Sequence, residues 1–362
     1  MPDAHRNCLH CVVPPWILRR VAQRGDEKQR KWALRALSAD ATIRQARAVN
    51  AKVRDGGPRE GADALAAATH ATPKPNRIIR DGKHGWDVTG LPRLRSEGEG
   101  PTGDPAVDEA YDGLGDTWSF WWEVFSRESI DDENMPLRGI VHFGEEYPNA
   151  FWDGRRMVFG DGDGELFLRF TKSLDVIGHE LGHGVIEDEA ALEYWGQSGA
   201  LNEHIADVAG VMVKQRKLGQ TADQADWLIG ADLRGDEFDG DALRSMKAPG
   251  TAYDDVCLGK DPQPAHWRDY VRTWEDNGGV HINSGIPNKA FHLLATNLGG
   301  QSWRKPGRIW YDALRSPQLT TTATFRQFAR ITHRAARQRF GTGSDEAKAV
   351  REAWADVGVN WE

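Results

Sequence analysis

In the stretch DVIGHELGHGVIEDEA (175–190), two histidines stand four residues apart and a glutamate directly follows the first. No other feature constrains the fold as much, because a helix puts His179 and His183 on one face, where both imidazoles reach a single ion. Ile177, Leu181 and Val185 fall on a stripe roughly opposite. That stripe suits a helix anchored in a core while its histidine face looks into a cleft. Ser173 and Asp175 bring polar and negative character to the helix N-terminus. Two histidines alone could be a polar helix face, since a catalytic zinc usually takes three protein ligands and leaves one position open. A second helix has to supply the third. GALNEHIADVAG (199–210) offers Glu203, with Asp207 one turn further on and Asn202 beside it. Asn202 and Asp207 are candidate acceptors for the outer N–H groups of metal-bound histidines.

The chain around this pair divides by composition. Residues 16–53 carry apolar positions at three- and four-residue steps and read as one or two helices. RDGGPREGADALAAATHATPKPNR (54–77) is a Gly/Ala/Pro-rich linker of the kind where proteolysis concentrates. From about residue 77, short segments such as LRGIVHFG and RRMVFGDGDGELFLRF alternate well enough for a sheet with hairpins, and DEAYDGLGDTWSFWWEVFSRESI is helix-like. After residue 173 the periods are helical: 173–190, about 198–217, 284–298 and 324–358. The expected fold is α+β, a strand-rich lobe followed by a helical lobe with a cleft between them. The expected divisions are 1–75, 76–190 (including the histidine helix) and 191–362.

Charge divides the same way. Residues 1–75 hold 14 Lys+Arg against 7 Asp+Glu, whereas the remainder holds 32 against 47. Opposite signs on two segments of one chain suggest that they touch. Aromatic interleaving in the basic part is too sparse for nucleic-acid binding. No apolar run of about 18 residues argues for a membrane span, and the N-terminus lacks the apolar core and cleavage site of a secretory signal. Three cysteines make no disulfide framework, and Cys8 and Cys11 read as unpaired thiols more readily than as half a zinc knuckle.

HELGH followed by GALNEHIAD resembles the thermolysin family of zinc endopeptidases. NAFWDGRRMVFGDGDG (149–164), ALRSM (242–246) and DNGGVHINSGIPNKAF (276–291) are similar to further signature stretches of that family, in the same order. The likeness covers most of 77–362 and implies the two-lobe thermolysin-like fold. It implies that His179, His183 and Glu203 hold zinc, and that Glu180 activates the zinc-bound water and carries its proton to the leaving amine. Tyr194 and His281 would assist the oxyanion, with Asp276 orienting His281. Arg244 would bind a substrate carbonyl, and Asn149 and Ala150 would hold substrate backbone along an edge strand. Phe167, Phe170, Val176, Ile229 and Leu243 match the primary specificity pocket, which implies cleavage before a bulky apolar residue. For each of these five, ordinary core packing is an equal reading.

The resemblance also implies where this chain departs. Of the clustered carboxylates that bind paired calcium in many relatives, only Asp175 and Asp226 remain, and the other positions read Lys214, Leu228 and Ala231. The paired calcium site is therefore expected to be absent, with the Lys214 ammonium in its place. DGDGE (161–165) lacks the later residues of an EF-hand loop and reads as a hairpin turn. CVVPPWILRRVAQRG resembles the short prosegment of the protealysin-like branch, so residues 1–75 are expected to act as an intramolecular inhibitor, removed by self-cleavage somewhere in 60–80. Peptides or proteins would be the substrates. Export without a signal peptide is the expected destination, with the cytoplasm as the alternative. An aminopeptidase of related mechanism lacks a motif for the free amine, and a silent binding protein would not need every catalytic position intact.

Overall fold

The computed structural model describes residues 10–54 and 73–361, with side chains described over 11–42 and 73–361. Cys8 and most of the proposed linker lie outside these residues. The chain begins with a two-residue strand, β1 (His10–Cys11), and two helices, α1 (Pro15–Arg24) and α2 (Glu27–Arg54). Pro14 and Pro15 explain the change from strand to helix. Neither offers an N–H to a sheet ladder, and Pro15 is accepted in the first helical turn.

Five more strands complete a six-stranded mixed sheet: β2 (Arg77–Asp81), β3 (Arg93–Ser96), β4 (Leu137–Val141), β5 (Ala150–Trp152) and β6 (Met157–Phe159), in the order β1-β5-β6-β4-β2-β3. Helix α3 (Pro105–Phe125) packs on the sheet, its N-terminus capped by the Asp104 carboxylate, which accepts from the Ala106 amide at 2.9 Å. The hairpin expectation needs correction. Strands β4 and β6 pair in parallel, as do β2 and β4, and the close hairpin is β5–β6. DGDGE is a turn but not a hairpin: Asp163 Oδ1 accepts the Leu166 and Phe167 amides at 3.0 and 2.8 Å as the chain leaves the sheet.

Helices α4 (Leu174–Glu189) and α5 (Gly196–Leu218) pass through the centre and pack closely on each other. Beyond them lie two short strands, β7 (Leu228–Ile229) and β8 (Arg244–Ser245), and the helices α6 (Asp276–Asn283), α7 (Gly285–Leu298), α8 (Lys305–Leu314), α9 (Phe325–Phe340) and α10 (Asp345–Asp356). The expected helix 324–358 is thus two, interrupted at Gly341, whose φ of 104° a helix cannot contain. Helix α8 was not expected. The α+β fold with a strand-rich and a helical lobe is the one observed. No helix among the described residues is long and apolar enough to cross a membrane.

Helix α4 is not amphipathic in the way its stripe suggests. Every residue from Asp175 to Ile186 is buried, the histidines included. Part of its cover comes from β1, the outermost strand of the sheet, which lies over the cleft.

Candidate metal and peptide site

The site depends on how closely α4 and α5 approach. A Cβ on Gly210 would stand 2.2 Å from the Asp175 carbonyl, and one on Gly178 would stand 3.0 Å from the Gly210 Cα. A seam without side chains lets the two backbones come together, and the longer residues beside it then meet. His179 Nε2 and His183 Nε2 are 3.1 Å apart, and the Glu203 carboxylate oxygens lie 3.5 and 3.4 Å from them.

The outer nitrogens fix the tautomers. His183 Nδ1 donates to Asn202 Oδ1 at 2.8 Å, and His179 Nδ1 lies 2.8 Å from Asp207 Oδ1. Each Nε2 then presents a lone pair, and the two lone pairs face each other. Glu203 Oε2, fully buried, accepts no hydrogen bond. Two opposed lone pairs and an unbonded buried carboxylate oxygen fit a cation, and nitrogen and oxygen donors of this kind suit zinc. Among the described residues, one other His/Asp group comes as close together, His84, His142 and Asp161.

Glu180 follows His179 on the same helix, fully buried, and its Oε2 accepts the Trp152 amide at 3.0 Å. The Tyr194 hydroxyl donates a short hydrogen bond to Glu203 Oε1 and lies 3.2 Å from His281 Nε2. His281 is held by Asp276, whose Oδ1 takes its Nδ1–H at 2.6 Å and whose Oδ2 takes its amide at 2.8 Å. Left-handed backbone at residues 276–279 turns Asp276 back toward that histidine. Burial opposes a charge on His281, but the neighbouring Asp276 and Glu203 carboxylates outweigh it and raise its pKa to about 9. A cation on Glu203 would bring that value back down.

Asp207 serves two partners. Besides facing His179, it receives Arg244 through Nε at 3.0 Å and Nη2 at 2.8 Å, and it accepts from Asn288 Nδ2 at 2.9 Å. Burial would raise the Asp207 pKa, but the Arg244 charge and the His179 contact hold it well below the ordinary carboxylate range. The fork leaves Arg244 Nη1 directed at the cleft.

Residues 11–13 occupy that cleft, the chain bending at Val12 and Val13 as it leaves β1. Strand β1 pairs antiparallel with β5, Cys11 opposite Phe151. The Cys11 carbonyl lies 3.1 Å from His281 Nε2, and Arg244 Nη1 donates to the Val12 carbonyl at 3.0 Å. The Val12 amide donates to the Ala150 carbonyl at 3.4 Å. Asn149 clasps Val13 at both ends, its Oδ1 accepting the amide and its Nδ2 donating to the carbonyl, each at 3.0 Å.

The five pocket candidates are all buried. Phe167 and Phe170 have ring centroids 6.1 Å apart, the Leu243 amide donates to the Ile229 carbonyl at 3.0 Å, and Val176 sits in the first turn of α4. All five belong to one continuous buried apolar cluster, so their burial fits core packing as well as a pocket floor. Lys214 Nζ lies 3.3 Å from Asp175 Oδ2 and 3.2 Å from Asp226 Oδ2. Burial works against its charge, and the two aspartates raise its pKa in spite of it.

The sequence pattern does not single out Asn288, and it marks residues 11–13 as the start of the prosegment-like stretch without marking them as the part that enters the cleft. Asn288, which links Asp207 to His204 Nδ1 (2.8 Å), falls inside the 276–291 block. The run Cys-Val-Val before two prolines carries the periodicity of neither a strand nor a helix.

A family model described as the catalytic domain of thermolysin metallopeptidase matches residues 80–187, and one described as its alpha-helical domain matches residues 190–359. An extracellular metalloprotease of Pectobacterium carotovorum subsp. carotovorum is 49% identical over 357 residues, 96% of each chain. A protease PrtS of Photorhabdus is 44% identical over 350 residues, covering 96% of this chain and 91% of its own. Among solved structures, the precursor of protealysin, a metalloproteinase from Serratia proteamaculans, superposes with a TM-score of 0.86 at 49% identity, covering 97% of this chain and all of its own.

Proposed function

Because the chain belongs to the thermolysin family of zinc metalloendopeptidases, in its protealysin-like branch, we propose that it is the precursor of an endopeptidase whose own N-terminal segment occupies the substrate cleft. The observation that carries this reading is the convergence of His179, His183 and Glu203 beside the Glu180 carboxylate. Those three residues would hold the zinc, which supplies Lewis acidity and lowers the pKa of a water toward 7.

The other roles belong to the protein. Glu180 takes the proton of the attacking water and delivers it to the leaving amine, with the Trp152 amide fixing the carboxylate. His281 and Tyr194 donate to the oxygen that becomes negative as the peptide carbonyl is attacked, and Asp276 keeps the imidazole turned toward it. Arg244 and Asn149 grip the two residues after the scissile bond, and the edge of β5 pairs with their backbone.

Residues 11–13 support the inhibitor reading because they make these same contacts. Cys11 presents its carbonyl to His281, Val12 takes Arg244 and Val13 takes Asn149. Val12 then stands where the residue after the scissile bond would stand, in keeping with a preference for a bulky apolar residue there and with Phe167, Phe170, Val176, Ile229 and Leu243 as its pocket. Residues 1–75 would be the propeptide, 76–190 and 191–362 the two lobes, and removal of the first would be self-catalysed. Export is favoured by the relative named an extracellular metalloprotease. The Lys214 ammonium between Asp175 and Asp226 favours the absence of paired calcium ions.

Casein cleavage by purified protein tests this. Activity should vanish with a chelator, return with zinc, and be absent in Glu180→Ala, which should also persist at full length. Chelator-insensitive cleavage, or an active Glu180→Ala protein, refutes it.

A further inference from the structure

The geometry points to a second zinc-class site, formed by His84, His142 and Asp161 at the far end of the parallel strands. Strands β2, β4 and β6 run side by side, and each ends close to one of the three residues: Asp81, Val141 and Phe159 are the last strand residues. Backbone hydrogen bonds lock the ends together, from Gly82 to the Val141 carbonyl and from His84 to the His142 carbonyl, each at 2.8 Å. The C-terminal edge of parallel strands is where α/β sheets place ligands.

Both histidines are bent into left-handed backbone, with φ of 54° at His84 and 53° at His142. Few non-glycine residues adopt this conformation, histidine among the commoner of them. These two imidazoles are aimed at one carboxylate. His142 Nδ1 is 2.9 Å and His84 Nδ1 3.5 Å from Asp161 Oδ2. Ligand atoms about 2.0–2.2 Å from a tetrahedral zinc lie roughly 3.3–3.5 Å from one another, and these two separations bracket that spacing.

The far side of His142 completes the arrangement. Its Nε2 lies 3.0 Å from Asp104 Oδ2, while Asp104 Oδ1 caps α3 through the Ala106 amide. In the structure Nδ1 donates to the Asp161 carboxylate, at 3.1 and 2.9 Å, so a metal would displace that proton, while the Nε2–H held by Asp104 supplies the carboxylate–histidine–metal relation that orients metal-bound imidazoles. Arg169, the nearby cation, is committed to Glu109 at 2.7 and 2.5 Å. His84 is largely exposed, which leaves room for a water as fourth ligand. Two imidazoles and one carboxylate select zinc or a neighbouring divalent transition ion over calcium or magnesium. Such an ion would staple three strand ends to one another, and through Asp104 to the start of α3. The site shares no residue with the catalytic constellation, so it stands whether or not the proposed activity does.

The test uses the full chain carrying Glu180→Ala, freed of metal with a chelator, dialysed and titrated with zinc. Two zinc ions per chain are expected by elemental analysis, falling to one when either His84→Ala or Asp161→Asn is added. Adding His183→Ala instead should remove the other ion and leave a zinc-dependent rise in thermal midpoint that His84→Ala abolishes. Cobalt in place of zinc should give the visible absorption of a low-coordinate site in the His183→Ala background. The proposal is overturned if the Glu180→Ala parent binds a single zinc that His84→Ala does not remove, or if two remain after His84→Ala with the fold intact by circular dichroism.

Discussion

Lys214 places a positive charge where the likeness to calcium-binding relatives would have none, within 3.3 Å of the fully buried Asp175. Removing one partner of a buried pair leaves the other charge uncompensated, which typically costs about 3–5 kcal/mol. Lys214→Met should therefore lower the urea midpoint by an amount near the low end, since Asp175 keeps bonds from Ser173, Val176 and Gly230. A loss under about 0.5 kcal/mol, the ordinary surface range, would show the pair to be incidental. Elemental analysis returning two calcium ions per chain would dispose of the substitution idea altogether. His292 tests pH. It is nearly buried against Trp227, and burial first, then the charges of Lys289 and Lys247, lower its pKa to about 4. The unfolded chain binds a proton near pH 6.5 that the folded chain refuses, so stability is complete above pH 6.5 and declines as pH falls toward 4. His292→Phe should flatten that decline by on the order of 2–3 kcal/mol, read from urea unfolding at pH 7 and pH 4.5. Equal slopes in both proteins would contradict the assignment.

At the scale of elements, the α4–α5 contact decides whether the proposed metal ligands meet. Gly210→Ala adds one methyl into 2.2 Å of clearance against the Asp175 carbonyl. Overpacking of this kind costs about 1–3 kcal/mol, and because α5 also carries Glu203, zinc affinity should fall with stability. Competition with a chromophoric chelator would measure it, and unchanged affinity would mean that the ligands do not depend on the seam. Elements also explain what was legible in the chain. His179, His183, Glu203, Asn202 and Asp207 could be read because they lie on two consecutive helices, where residue spacing translates directly into geometry. The parallel pairing of β4 with β6 could not, because strands of three to five residues carry little periodicity and their order is set by tertiary packing. The His84, His142 and Asp161 cluster was hidden for the same reason, since strand order alone brings together residues so far apart in sequence. The break at Gly341 was the opposite case, a local signal overridden in the reading by strong helical periods on either side.

At the scale of the molecule, the charge division of the sequence becomes an interface. Lys28 lies 2.7 Å from Glu165 and 3.7 Å from Glu146, Arg35 lies 2.5 Å from Glu145, and Gln29 donates to Glu237 at 3.0 Å. These contacts are exposed or partly so, whereas the Tyr147 hydroxyl donates to buried Asp40 at 2.6 Å. Salt should weaken the exposed group selectively, as the screening length shrinks from about 30 Å at 0.01 M to about 3 Å at 1 M. If self-cleavage needs the N-terminal segment to loosen, conversion to a shorter form on a denaturing gel should speed up with salt. Lys28→Ala combined with Arg35→Ala should convert several-fold faster at low salt and respond less to added salt. A conversion rate indifferent to both would place the restraint in buried contacts such as Tyr147–Asp40.

The run Cys11-Val12-Val13 has one more consequence. Its backbone is gripped by Arg244, Ala150 and Asn149 whatever side chain position 12 carries, because every one of those bonds goes to main-chain atoms. Position 12 can therefore be varied through every residue that keeps a backbone N–H, proline excepted, with the same main-chain bonds available. The rate at which each variant precursor becomes active would rank the affinities of the primary pocket, giving a specificity profile encoded in the gene and obtained without a synthetic substrate.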